Sequence, residues 1–152
     1  MAVTKFASVR RAIVDFLRAS PSLVSLVGHT SADPRIAGAV AEDKLTAEGL
    51  YIFTRPSRPL FDECDYGPWN TGVNVVIRHK DEATVYSILG TLQEYVRQNQ
   101  TTYDDAAYDL HAGVRLESIR WSADLSNAPE VQQEESGVFW TEAFLVVRWR
   151  EK

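Results

Sequence analysis

The run Ala143-Phe144-Leu145-Val146-Val147 limits the fold more than any other stretch of this 152-residue chain. Side chains of a strand alternate between two faces, so a strand apolar at every position needs cover on both. The run therefore predicts a strand inside a sheet, within a longer segment from Val138 to Arg150. Beyond it, Arg148 and Arg150 alternate with Val147 and Trp149, and Lys152 continues the charged side. One face of the strand's end is thus expected to meet water or a partner.

Such a strand needs neighbours. Leu50 to Thr54 and Val73 to Arg78 are short, β-prone runs, and Arg115 to Ala123 carries Leu116, Ile119 and Trp121 as apolar anchors. Arg35-Ile36 reads as a short edge strand after the turn at Asp33-Pro34. Arg55-Pro56-Ser57-Arg58-Pro59 is expected to end the preceding strand, because two of its residues lack an N–H donor. Leu60 to Asn70, Thr101 to Gly113 and Asn127 to Gly137 read as polar connections.

Helical spacing appears in three places. Phe6, Val9, Ile13, Phe16 and Leu17 share one face of an opening helix. Ser20 is suited to cap, and Pro21 to begin, a short second helix that Gly28 stops. Asp81 is a fitting N-cap for Glu82 to about Gln98, whose stripe is Val85, Ile88, Leu89, Leu92, Tyr95 and Val96. One stripe covers one face of a sheet. The expected architecture is α+β: an antiparallel sheet of about four strands, helices packed on one face, and long polar loops, in a single domain over 1–152. No repeat or linker divides it.

Composition excludes several classes. With 45% apolar and 24% charged residues, the chain is expected to fold around a core without staples. Net charge is −5, from 21 acidic and 16 basic residues, whereas nucleic-acid-binding surfaces are usually basic. Cys64 is the only cysteine, which excludes an intrachain disulfide and a thiolate zinc cluster. The N-terminal stretch carries Lys5, Arg10, Arg11 and Asp15 and lacks the apolar centre of a secretory signal. No apolar run approaches the roughly 20 residues that span a bilayer. An intracellular, reducing folding environment is expected.

Motifs for chemistry are missing. There is no phosphate-binding or dinucleotide-binding glycine loop, no nucleophile elbow and no paired-histidine metal motif. His29, His79 and His111 are far apart, and His79 beside Lys80 is expected at the solvated surface. Asp62, Glu63 and Asp65 have the oxygen chemistry of a cation site but not the spacing of a calcium loop, and read as a solvated acidic loop. Cys64 stands among carboxylates that disfavour a thiolate. The expectation is a protein without catalysis, cofactor or metal. Trp121, Trp140 and Trp149 lie in predicted strands and are expected in the core; Trp69, in the loop beside Pro68, is a candidate interface anchor. The interface candidates are Arg55, Arg58, Asp62, Glu63, Asp65 and Trp69 in the first loop. Glu130, Gln132, Glu134 and Glu135 follow in the second, and Arg148 and Arg150 on the last strand.

The order of elements has a counterpart. Val9-Arg10-Arg11-Ala12-Ile13-Val14-Asp15-Phe16-Leu17 runs into Pro21-Ser22-Leu23-Val24-Ser25-Leu26-Val27-Gly28, followed by Pro34-Arg35-Ile36 and Leu50-Tyr51-Ile52-Phe53. Then come Gly72-Val73-Asn74-Val75-Val76-Ile77-Arg78, the helix from Asp81, and Glu142-Ala143-Phe144-Leu145-Val146-Val147-Arg148-Trp149. From about Val9 to Trp149, the chain resembles the tail terminator, or tail completion, proteins of long-tailed bacteriophages. The resemblance implies a homo-hexameric ring at the tail–neck junction of a virion, assembled in the host cytoplasm. Its implied partners are the tail tube protein and a head–tail connector or stopper protein. DNA would pass through the ring without sequence-specific binding, and no membrane is involved. Negative net charge suits such a channel, since like charge discourages phosphate binding. The competing readings are another neck ring protein, a tube-like subunit or, from another class, a small-molecule-binding α+β domain.

Overall fold

The computed structural model describes residues 2–38, 48–54, 58–59, 68–99, 114–122 and 130–151, with the backbone alone for 2–8, 58–59 and 151. Three helices, α1 (Ala2–Arg18), α2 (Pro21–Val27) and α3 (Glu82–Gln98), accompany strands β1 (Ile36–Gly38), β2 (Gly49–Thr54), β3 (Arg58–Pro59), β4 (Trp69–His79), β5 (Val114–Trp121), β6 (Gln132–Gln133) and β7 (Phe139–Glu151).

The sheet runs β1–β2–β4–β7–β5, with β3 added beside β4 and β6 beside β7. The apolar-run strand, β7, lies inside the sheet as expected, paired with β4 on one side and β5 on the other, although Val146 on its second face is exposed. Both neighbours are antiparallel to β7 and so parallel to each other. The chain therefore passes from β4 through α3 to β5 as a β-α-β unit split by β7. The α+β expectation holds, but the sheet is larger than four strands and mixed, because β1 pairs with β2 in parallel.

Two local geometries set that edge. Leu50 donates its N–H to the Arg35 carbonyl at 2.7 Å, and a Cβ on Gly49 would stand 2.6 Å from that same oxygen. Only glycine admits the approach. Arg18 Nε then donates to the Ile36 carbonyl at 2.9 Å, so α1 holds the short edge strand.

The helix ends follow their sequence signals. The Leu23 N–H is 3.4 Å from Ser20 Oγ, and Gly28 takes the left-handed conformation at φ 76° that stops α2. At α3, Asp81 Oδ2 accepts from the Thr84 N–H at 3.2 Å and the Thr84 hydroxyl at 2.6 Å. That hydroxyl bond is the main reason the Asp81 carboxyl is held below its usual range.

α1 and α3 pack on one face of the sheet, and α2 packs against both of them. Phe16, Leu23, Val85, Ile88, Leu92 and Val96 meet Leu50, Ile52, Val73, Val75, Ile77, Leu116, Ile119, Leu145 and Val147 in a continuous apolar core. Each such side chain contributes roughly 1.5–3 kcal/mol by leaving water. The Tyr95 hydroxyl donates to the Phe16 carbonyl at 2.7 Å, and the two rings stand 4.8 Å apart, joining α3 to α1. Trp149 is fully buried and satisfies its indole N–H on Thr71 Oγ1 at 2.9 Å.

Several expectations need correction. Arg58 and Pro59 do not simply end a strand: they pair with Asn70 and Trp69, continuing the line of β2 along β4. Proline is tolerated there because β3 has a single partner. Trp69 does not lie in a loop: it is the first residue of β4, half-buried and stacked on Trp149 at 5.9 Å. Gln132 and Gln133, expected in a loop, form β6 against Trp140 and Phe139. No helix among the described residues is long and apolar enough to cross a membrane.

Candidate interaction surface

Because side chains alternate, the residues between the core positions of β2, β4, β5 and β7 form a second face. None of the three helices packs there. Registration assigns its rows: Tyr51 beside Val76 and Glu142, Phe53 beside Asn74 and Phe144, and Asn70 beside Arg148 and Ser118. Val146 and Arg120 are opposite each other, both exposed. Trp140, placed in the core from sequence, belongs to this face because it pairs with Arg78 rather than with a core residue. The face thus mixes aromatic, aliphatic and arginine side chains, the composition of protein contact surfaces rather than of a solvated sheet.

A bulge shapes one end. Between Leu116 and Ser118 the β5–β7 register shifts, and Glu117 is the extra residue. Its carboxylate is almost fully buried, yet two arginines of β7 reach it. Arg148 Nε stands 2.9 Å from Oε2 as an ion pair whose angle is not that of a hydrogen bond, and Arg150 Nε contacts Oε1. A buried carboxylate needs such compensation, so the pairing is part of the fold. Arg148 and Arg150, singled out from sequence, are here fixed by a residue the sequence reading did not name. Leu116 and Ile119 offered the clue. Spaced by three, they cannot share a face of a regular strand, so burying both needs a bulge. Beside it lies a depression of about 170 Å³ lined by Asn70, Ser118, Arg120, Val146 and Arg148.

The opposite end of β7 is acidic. The hairpin from β6 into β7 carries Glu130, Glu134 and Glu135, with Glu130 and Glu135 exposed. Glu134 is bound by the buried Arg78, Nη2 to Oε2 at 2.9 Å with a second contact through Nη1. This hydrogen bonding to Arg78 holds the Glu134 carboxyl below its usual value. Thr141 Oγ1 donates to the Glu130 carbonyl at 3.0 Å and fixes the start of the hairpin. Gln132 is exposed on β6.

Two histidines are structural. His29 Nδ1 accepts from the Arg35 and Ile36 N–H groups at 2.9 and 3.1 Å. Burial, reinforced by Arg18, holds its pKa below the usual value, which keeps the accepting neutral form. His79 is not a free surface residue: its Nδ1 accepts from the Asp81 N–H at 3.0 Å and its Nε2 stands 3.1 Å from Glu48 Oε2. Elsewhere, Arg10, Arg11, Val14, Arg18 and Gly38 line an open, arginine-rich cleft of about 440 Å³ between α1 and β1.

Of the first-loop candidates, the backbone of Arg58 and the whole of Trp69 are described. Arg55, Asp62, Glu63 and Asp65 lie outside the described residues, as do Cys64, His111, the rest of the Leu60–Asn70 connection up to Gly67, and the Gln100–Gly113 stretch. Among the described residues, no three His, Cys, Asp or Glu side chains are grouped to hold a metal.

No family model matches the chain, and no curated protein matches it in sequence. Among solved structures, a chain in the virion of a native gene transfer agent particle superimposes with a TM-score of 0.51. The match covers 94% of this chain and 94% of that one at 15% identity. At that identity the correspondence establishes a shared fold alone.

Proposed function

We propose that this chain is a structural virion protein of a phage-like particle, and that it works as the ring that caps the tail tube, ends its polymerisation and offers the head-side joining surface. The observation that carries the reading is the end-to-end match to a chain of a gene transfer agent virion. The sheet face away from the helices supports it, because a surface rich in aromatic and arginine side chains is suited to repeated protein contacts. In a closed ring each copy offers two different surfaces to its neighbours. The partners in this reading are further copies of the chain, the tube protein and a connector or stopper, with DNA passing through unread. Catalysis, cofactor and metal have no part in it.

The same match fits another neck ring or a tube-like subunit, so the test must separate these. Purified protein mixed with its cognate tail tubes is expected to give a six-copy mass by native mass spectrometry. Electron microscopy is expected to find one ring at one tube end. Binding along the tube walls would favour a tube-like subunit, and a strict monomer that ignores tube ends would end the reading.

A further inference from the structure

The long strand β7 joins two regions of opposite charge. From Trp140, beside the acidic hairpin, to Arg148, at the bulge, is eight residues, roughly 27 Å of strand. At the basic end, Arg115 is directly opposite Arg150, an unfavourable like-charge pair, with Arg148 and Arg120 close by in the register. Among the described side chains the single carboxylate there is Glu117, buried and already bound to Arg148 and Arg150. Among the described side chains, one anion thus stands at an end that carries four guanidinium groups, and it binds two of them. Arg120 is exposed and contacts no carboxylate among the described residues.

At the acidic end the imbalance reverses. Arg78 binds Glu134 through both Nη atoms, while Glu130 and Glu135 are exposed on a segment held by β6 pairing and by Thr141. Both sets of charges sit on strands or a pinned hairpin, so little ordering is needed for them to bind.

The geometry points to a head-to-tail contact between copies of this chain, in which the Glu130–Glu135 hairpin of one copy docks on the Arg115, Arg120, Arg148 and Arg150 end of the next. This names the neighbour contact of the ring proposed above and rests on that reading. A contact joining two different poles is heterologous, the type that closes rings, and its carboxylates match the arginine excess found there among the described side chains. Nucleic acid is the rival occupant of a basic patch. The hairpin is favoured because it offers matching, pre-positioned carboxylates at the other end of the same strand, in a chain whose net charge is −5.

Charge reversal tests this on the full-length protein, using Arg120→Glu, Glu135→Arg and the double variant. Circular dichroism and thermal unfolding verify folding, and sedimentation and native mass spectrometry read assembly. The wild type is expected to assemble, more weakly at high salt. Each single variant is expected to weaken assembly at least tenfold, and the double variant, which restores opposite charges across every contact, to recover most of it. A wild type that assembles while both single variants assemble equally well overturns this contact and leaves the ring reading standing. A double variant no better than the singles also overturns it. A wild type that never assembles overturns both. If Arg120→Glu instead abolishes binding to a labelled DNA duplex and leaves assembly intact, the patch is a nucleic-acid surface and the proposal fails.

Discussion

The two faces of the sheet are built from the same strands, often from adjacent residues, yet they are under different physical control. Leu145 and Val147 are buried under helices, while Val146 between them is 36% exposed. On the covered face, packing leaves mainly apolar residues, and the Thr71–Trp149 bond satisfies the buried Trp149 indole. On the open face, charge organises the surface: Glu117 fixes two arginines at one end, and Arg78 fixes Glu134 at the other. Stability therefore resides mainly on one face, and the capacity for contact on the other.

Substitutions can break or sharpen that contrast. The largest effect belongs to the covered face: Leu92→Ala, in a fully buried position, is expected to lose about 2–5 kcal/mol in urea unfolding. Val146→Ser on the open face is expected to stay within about 0.5 kcal/mol of wild type and to weaken assembly instead. Equal losses from the two would erase the distinction between the faces. Gly49→Ala comes next. Its Cβ would meet a backbone oxygen, and a loss of about 2 kcal/mol is expected, with faster amide exchange at Leu50.

A comparable effect is expected at the bulge. Glu117→Ala removes the anion shared by Arg148 and Arg150 and should cost roughly 1.5–3 kcal/mol in the same unfolding experiment. If stability is untouched, the buried carboxylate does not hold the open face together.

The smallest effects concern pH. His29 has a pKa lowered from 6.5, so the folded state binds the proton less readily than the unfolded chain. Its contribution is complete above pH 6.5 and declines as pH falls below that value. Glu134 is lowered from 4.5, so its contribution is complete above pH 4.5 and is lost as pH falls through the lower, folded value. Thermal unfolding from pH 8 to 3 should show both declines. Arg78→Gln should shrink the acid one to the share that Asp81 contributes and leave the decline below 6.5 in place, whereas loss of both would tie the two ends of the sheet together.

Much of the covered face was legible in the residues themselves. Ser20, Gly28 and Asp81 act within a few residues of where they stand, and the stripe of α3 and the apolar centre of β7 carry their own periodicity. What was not legible depends on partners distant in sequence. β3 and β6 have two residues each and exist through the ladders of β4 and β7. Trp140 and Trp149 look alike as strand tryptophans, and only registration separates the open face from the core. Trp69 reads as a loop residue because the strand signal begins at Val73, yet stacking on Trp149 draws β4 back to it. Glu117 stood in plain view as a polar residue in a strand, and the three-residue spacing of Leu116 and Ile119 was its unread sign.

Cryo-electron microscopy of an assembled tail carrying this protein tests the central claim most directly. One ring is expected at the neck end of the tube, with the open face engaged and the Glu130–Glu135 hairpin of each copy against Arg120 of its neighbour. A chain absent from that ring, or a ring whose open sheet faces all look into solvent, would contradict it.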